Sequence, residues 1–347
     1  MAHGGLSRHL PRLWYKKQLA PALLPLWPLS CLFGGLVAIR RAMYRYGLIQ
    51  AATLPVPVIV VGNLTVGGSG KTPLVLWLSA RLRERGWQPG IISRGYGRSS
   101  EAEILSVNPD SDAGRVGDEP LLLARRSGVP VFVGRDRVAA GKALLAAHPE
   151  CNVVISDDGL QHYRLARSVE VVVFDGRGIG NGKMLPAGPL REPVARLASA
   201  TAVVGNGEAR SPLPDISVPY FSMHLTGQEF VALRDRQRTC LPQELHGKKL
   251  YAIAGIGNPQ RFFSQLAGLG LEFSPHPFPD HHVYRAEDLD FARDGVLLMT
   301  EKDAVKCANL ISSEAWFLPV EAQIEKSADE RSLLDMILEK LNGYPPA

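Results

Sequence analysis

At 347 residues, with 46% hydrophobic and 21% charged side chains, the chain has an ordinary globular composition and is long enough for two cores, which excludes large-scale disorder. A formal net charge of +5 suits anionic partners, whether nucleic acid, phosphorylated metabolites or an acidic membrane surface, because net charge governs association and not chemistry. Cys31, Cys151, Cys240 and Cys307 are scattered without a C-x-x-C pair, which argues against a zinc ribbon or a disulfide framework and for a reducing compartment.

The first distinctive element is an apolar run from Leu19 to Ile39, preceded by Arg12 and Lys16 and followed by Arg40, Arg41 and Arg45. Its length would allow a bilayer span. However, Pro21, Pro25 and Pro28 each remove a helical donor and Gly34-Gly35 adds a weak point, so one continuous helix is not expected. No small-residue cleavage site follows, which speaks against a secretory signal. Residues 1–45 read instead as an interfacial anchor, a broken apolar helix at headgroup depth with basic residues on acidic lipid and Trp14 and Trp27 at the boundary. Packing on the protein's own surface is the alternative.

Next comes Val58-Ile-Val-Val-Gly-Asn-Leu-Thr-Val-Gly-Gly-Ser-Gly-Lys-Thr72, a buried-type strand running into a glycine-rich turn. Gly67, Gly68, Ser69 and Gly70 let backbone N–H groups converge on phosphates, Lys71 adds a point charge near the β/γ oxygens, and the Thr72 hydroxyl can bind Mg²⁺. Strict P-loop spacing would put glycine where Thr65 stands, but a helix-like run from Pro73 supports the assignment. From Pro57 to about Val204, β-branched runs alternate with helical ones, at Val58–Val61, Gly90–Ser93, Val131–Val133, Val153–Ser156, Val169–Phe174 and Ala202–Val204. Such runs predict strands buried on both faces of a doubly wound parallel sheet, giving a P-loop NTPase-type α/β domain over residues 46–205.

Between these strands lie the polar candidates. Arg94 and Tyr96 follow the second strand, at the same edge as the P-loop, and Arg135 and Arg137 follow the run at 131–133. Arginine forks at strand ends suit phosphate. Asp118 and Glu119 precede a helical run, where they can cap the helix or serve as base and metal ligand. Asp157 closes a buried strand as the second Mg²⁺-holding carboxylate, and its neighbour Asp158 can hold a metal-bound water or orient a substrate. The loop continues through Gly159-Leu-Gln-His162. A glycine- and proline-rich segment ending in Arg191-Glu192-Pro193 carries apolar side chains that could border an acyl or sugar site.

Glycine, proline and polar residues at 205–214 mark the expected boundary, after which residues 206–347 read as a second, smaller α/β lobe entered through a short strand ribbon at 215–240. Strands are expected at Lys249–Ala254 and Gly295–Met299, with a terminal helix near Ser327–Leu341. Gly255-Ile-Gly257-Asn-Pro lacks the third glycine of a dinucleotide fingerprint. Asp280-His281-His282 groups an acid with two imidazoles but has no matching ligand pair for zinc, which favours proton transfer or a hydrogen-bonded loop. No aromatic-basic platform or helix-turn-helix pattern supports nucleic acid as a partner.

In order, the P-loop run, Ser93-Arg-Gly-Tyr-Gly, Val116-Gly-Asp-Glu-Pro, Asp157-Asp-Gly-Leu-Gln-His, Leu185-Pro-Ala-Gly-Pro-Leu-Arg-Glu, Phe278-Pro-Asp-His-His and Thr300-Glu-Lys-Asp-Ala-Val-Lys306 resemble the tetraacyldisaccharide 4'-kinase family of the lipid A pathway. The resemblance implies ATP and Mg²⁺ as cofactors and transfer of the γ-phosphate to the 4'-hydroxyl of a tetraacylated glucosamine disaccharide 1-phosphate, giving lipid IVA. It also implies a place at the cytoplasmic face of the bacterial inner membrane, peripheral or monotopic, and two lobes with the nucleotide between them. Oligomeric state is left open. Carried over by motif, Lys71 and Thr72 match the phosphate and metal positions, Asp157 and Asp158 the acidic pair, with Glu119 a further candidate for the metal, and Asp118 the general base paired with His281. Arg94, Tyr96, Arg137, His162, Arg191 and Glu192 match positions assigned broadly to substrate or phosphate. The rival reading is a membrane-bound P-loop NTPase switch that phosphorylates no lipid.

Overall fold

The computed structural model describes residues 10, 12–16, 18–98, 100, 102–207, 217–308, 310–311, 313–327 and 329–343. A short 3₁₀ stretch, Pro21–Leu26, leads into α1 (Trp27–Arg45). Then follow β1 (Val58–Gly62), α2 (Lys71–Glu84), β2 (Pro89–Ser93), β3 (Leu105–Val107), α3 (Ala113–Val116), α4 (Asp118–Ser127), β4 (Val131–Val133), α5 (Arg137–Ala147), β5 (Val153–Asp157), β6 (Val169–Asp175), β7 (Ala202–Asn206) and β8 (Tyr220–Thr226). The chain continues with β9 (Phe230–Ala232), β10 (Thr239–Cys240), β11 (Leu250–Ala254), α6 (Pro259–Gly268), β12 (Ser274–Pro277), β13 (Val296–Thr300), α7 (Glu301–Cys307), β14 (Ala315–Leu318), β15 (Glu321–Ile324) and α8 (Leu333–Asn342).

The larger sheet runs β15-β8-β7-β6-β1-β5-β2-β4-β3, parallel except at its two edge strands. Strands β1, β5, β6 and β7 are buried on both faces apart from the last residue of β6, as their continuous β-branched runs require. Helices α2, α4 and α8 cover one face around Leu74, Leu78, Leu123 and Ile337, while α5 and the loops before and after β6 cover the other around Leu144, Leu160 and Leu197. From β1 the chain winds toward β2, and from β5 it returns past β1 to β6. The order therefore reverses beside β1 and β5, and the carboxyl ends of those strands open the crevice in which ligands of such sheets sit.

The smaller sheet runs β10-β9-β14-β13-β11-β12, with its own core around Phe230, Leu266, Leu298 and Trp316. The division at residue 205 expected from composition is not where the sheets part. β8 pairs parallel with β7, from Val203 opposite Tyr220, and β15 pairs antiparallel with β8. The apolar face of α8, including Leu333, Ile337 and Leu341, packs in the core of the larger sheet. Composition marked a connection between two strands of one sheet, and most of that connection, 208–214, lies outside the described residues. The lobes are instead joined twice, after β8 and between β14 and β15.

The N-terminal helix also departs from expectation. α1 is unbroken for 19 residues, because Pro28 sits in its first turn, where backbone donors lack helical partners anyway, and Pro21 and Pro25 fall in the preceding 3₁₀ turn. Gly34 and Gly35 are tolerated within it. Ser30 Oγ donates to the Met184 carbonyl at 2.7 Å, and Gly34 faces the Met184 side chain, so this side of the helix rests on the body.

Candidate active site

The P-loop links β1 to α2 at the crevice. Asn63, fully buried at the end of β1, braces it by donating from Nδ2 to the Gly67 carbonyl at 3.2 Å and accepting from Lys71 Nζ at 3.4 Å. Asn206, at the end of β7, donates to the Ser69 carbonyl at 2.9 Å. The loop is thus held by the ends of two strands.

Asp157 and Asp158 end β5 and begin its loop, and neighbouring carboxylates take different roles. Asp158 accepts both arms of Arg191 at 2.9 and 3.1 Å and lies 3.6 Å from Lys71 Nζ. Burial opposes its charge, but these cations hold its carboxyl well below the usual range. Asp157 is 1% exposed; Oδ2 accepts from Ser93 Oγ at 3.0 Å, while Oδ1 is buried without a hydrogen-bond partner. Burial, with the Glu119 charge beside it, pushes this carboxyl well above its usual range. An orphaned, uncompensated carboxylate oxygen beside a P-loop fits a divalent cation, which would supply both the missing partner and the missing charge. Mg²⁺ is commonly held by one or two carboxylates together with substrate phosphates, and Asp157 beside the P-loop fits that donor set.

Arg137, at the start of α5, is buried and donates to the Gly134 and Asp157 carbonyls at 2.8 and 3.3 Å, which fixes the end of β5. Burial pulls its pKa down to about 10. His162 accepts from the Arg137 backbone N–H at 3.3 Å, and burial beside that guanidinium lowers it to about 4, so it is neutral at ordinary pH. Arg94 and Tyr96 are exposed on the loop after β2, and Tyr96 reaches the His281 ring at 5.1 Å. Glu192 lies away from the crevice, 1% exposed and bonded to the Tyr163 hydroxyl under the N-terminal helix, where Tyr44 and Arg40 meet the Tyr163 ring.

The second lobe closes the crevice. Asp118, at the start of α4, meets His281 from the loop after β12, with Oδ2 and Nδ1 3.3 Å apart in a geometry that falls short of a hydrogen bond. Burial works against the Asp118 charge, yet His281 and Lys302 win and hold the carboxyl down to about 2. The same contact raises the His281 pKa. Lys302, at the start of α7, joins three carboxylates, lying 2.9 Å from Glu119, 3.3 Å from Asp280 and 3.9 Å from Asp118. Asp303, fully buried, accepts from the Gly255 N–H and the Tyr284 hydroxyl, both at 3.0 Å, and so ties the loops after β11 and β12 together.

A cavity of about 220 Å³ lies between the lobes. Its polar wall includes residues 68–72 of the P-loop, Glu119, Asp280 and Lys302, and its apolar wall includes Leu76, Leu122, Phe262 and Leu318. Asp118 and His281 line a second opening, while their chain neighbours Glu119 and Asp280 line the first.

The model of the family described as tetraacyldisaccharide-1-P 4'-kinase matches residues 22–341. The chain belongs to this family. A tetraacyldisaccharide 4'-kinase of Dechloromonas aromatica is 56% identical over 340 residues, covering 97% of this chain and 98% of that one. One from Azoarcus is 54% identical over 338 residues, with 97% of each covered. A crystal structure of LpxK from Aquifex aeolicus in complex with ATP superposes with a TM-score of 0.78 at 30% identity, covering 92% of this chain and 99% of that one. The P-loop NTPase-type architecture expected from the sequence is therefore the family's fold.

Of the site residues expected from the sequence, Lys71, Asp118, Glu119, Asp157, Asp158, Arg137, Arg191 and His281 converge on the crevice, and Thr72 lines the cavity. The sequence reading missed Asn63, Asn206, Lys302 and Arg177. Lys302 and Asn63 had a signal, their places in Thr300-Glu-Lys-Asp and in the P-loop run; Asn206 and Arg177 had none beyond standing at or just past strand ends.

Proposed function

We propose that this chain transfers the γ-phosphoryl group of ATP to the 4'-hydroxyl of a tetraacylated glucosamine disaccharide 1-phosphate, with Mg²⁺, at the cytoplasmic face of the inner membrane. The observation that carries the mechanism is the pairing of Asp118 from the first lobe with His281 from the second, beside a P-loop cavity that both lobes line. Family membership supports the lipid acceptor, and the ATP-bound relative supports the nucleotide.

Phosphoryl transfer asks the protein mainly for alignment and charge neutralisation. Lys71 and the P-loop N–H groups hold the β/γ-phosphates. Asp157 and Thr72 would hold Mg²⁺, which would supply neutralisation of the phosphate charge. Arg191 fixes Asp158, and Arg137 fixes the backbone of Asp157, so these arginines secure the carboxylates as well as raising the local positive potential. The Asp118–His281 pair takes the proton of the acceptor hydroxyl. The apolar, exposed side of the N-terminal helix brings the enzyme to a substrate that stays in the bilayer.

The test is to incubate the purified protein with γ-labelled ATP, Mg²⁺ and the disaccharide 1-phosphate in detergent micelles and to follow label into lipid. Transfer is expected, and Lys71→Ala and Asp118→Ala should each lower it by about 10²–10⁴-fold, the range of a lost catalytic group. ATP consumption without labelled lipid would replace this reading with an NTPase switch.

A further inference from the structure

Arg177 lies just past β6 and plays no part in the mechanism above, yet its guanidinium joins three segments distant in the chain. It is held by Asp175, through Nε to Oδ2 at 2.8 Å, and covered by the ring of Tyr15 from the N-terminal segment, 4.7 Å from the guanidinium carbon. From that position one arm donates to the carbonyl of Gly68 in the P-loop at 3.1 Å, and the other to the carbonyl of Gly257 in the second lobe at 3.4 Å. These two glycines are in direct contact; a Cβ on Gly257 would stand 2.6 Å from the Gly68 nitrogen and 3.4 Å from Asp280 Oδ2. Gly257 therefore touches, on one side, the loop that cradles phosphate and, on the other, the residue that precedes His281.

We propose that Arg177 is a positioning residue that docks the loop after β11 onto the P-loop and thereby sets His281 against Asp118 when the lobes close. A planar fork suits the task, because two carbonyls from two lobes can be satisfied at once only by a rigid pair of donors, and Asp175 keeps the fork aimed. Tyr15 shields the guanidinium from water on its outer face. A lysine retains the charge but places a single point donor on a flexible stem, which cannot span both carbonyls with the same alignment.

The inference rests on the phosphoryl-transfer reading, and its test has a readout independent of turnover. In the full-length protein, Arg177→Ala is expected to lower kcat and raise KM for ATP, each about tenfold or more, since small misplacements of reacting groups carry large rate costs. ATP affinity measured by equilibrium titration should fall in parallel. In His281→Ala, where the positioned ring is gone, adding Arg177→Ala should leave kcat within about twofold of the single variant, the signature of residues acting as one unit. Arg177→Lys serves if the alanine variant is poorly folded; it should melt like the wild type and still show the loss. Wild-type kinetics in Arg177→Lys, or kcat defects that multiply with His281→Ala, would overturn the proposal. Wild-type protein that binds ATP but labels no lipid would remove the reading of function, while the effect of Arg177 on ATP affinity would still be measurable.

Discussion

Asp118 stays charged although buried because three groups on the second lobe face it, His281 at 3.3 Å, Lys302 at 3.9 Å and Lys306 further off. With its pKa held at about 2, Asp118 does not titrate anywhere near neutral pH. His281 does, since Asp118 raises its pKa above the ordinary 6.5. A protonated His281 has no lone pair for a hydroxyl proton, and losing its proton restores one. The sign is therefore fixed: kcat should rise with pH through a limb above 6.5, and His281→Ala should lower kcat about 10²-fold and abolish the limb. A limb that persists in His281→Ala would assign the titration to another group. The ion pair's contribution to stability runs the opposite way, complete below pH 6.5 and lost as pH rises through the raised His281 pKa. The places of Lys71 and Asp157 at the crevice were legible in the sequence because glycine turns and strand-end carboxylates announce their chemistry locally, whereas Asp118, at a helix start, stood out only through the family resemblance. Lys302 was visible only as a member of Thr300-Glu-Lys-Asp and Arg177 not at all, since a lysine opening a helix or an arginine in a glycine loop gains its meaning from partners in the other lobe.

At the scale of the element, Pro21–Arg45, the 3₁₀ stretch together with α1, is the one helical segment long and apolar enough to cross a membrane among the described residues, and only 11% of its apolar 18-residue window is buried. Its packed side carries Ser30 and Gly34, and Leu29, Leu32, Leu36 and Ile39 stand exposed, Leu32 by 62%. Arg40 and Arg41 are held near the body by Tyr163 and Ser199, at the end where the helix returns to the first lobe. An apolar stripe of this kind gains roughly 1.5–3 kcal/mol for each large side chain fully buried in lipid. Replacing Leu32 and Leu36 together by Glu should therefore lower cosedimentation with anionic vesicles by about tenfold or more and raise KM for the lipid, with KM for ATP unchanged. Unaltered cosedimentation would mean that this face is not the membrane contact. The sequence showed the apolar run and its basic flanks but not its continuity, because three prolines read as breaks when they were in fact clustered at the N-terminal end. The strand ribbon expected at 215–240 contains β8, but composition did not show that β8 extends the larger sheet beside β7, and β15 went unforeseen because it pairs with β8 from Ile324 opposite Met223, which only tertiary pairing reveals.

Across the whole molecule, the two connections between lobes lie side by side. A Cβ on Gly227, just after β8, would stand 2.5 Å from the carbonyl oxygen of Pro319, between β14 and β15, so the two connections form one narrow strap. The lobes also meet through Lys302 with Glu119, Arg126 with Glu301 at 2.7 Å, Arg177 with Gly257, and Val305, which packs in the core of the larger sheet. A narrow strap suits a hinge, with the crevice as the space that opens. Neither lobe holds a complete site: the first has the phosphate cradle and Asp118, the second has His281 and Lys302. In the proposed reaction ATP alone brings no aligned hydroxyl to the Asp118–His281 pair, and a water would lack the anchoring that an acylated sugar provides. Hydrolysis of ATP without lipid should therefore run at least about 10²-fold slower than lipid phosphorylation, the cost of an acceptor misplaced by about 1 Å. Phosphate release measured with and without the disaccharide checks this. Equal rates would mean that closure does not depend on the acceptor and that the two-lobed arrangement serves nucleotide binding alone.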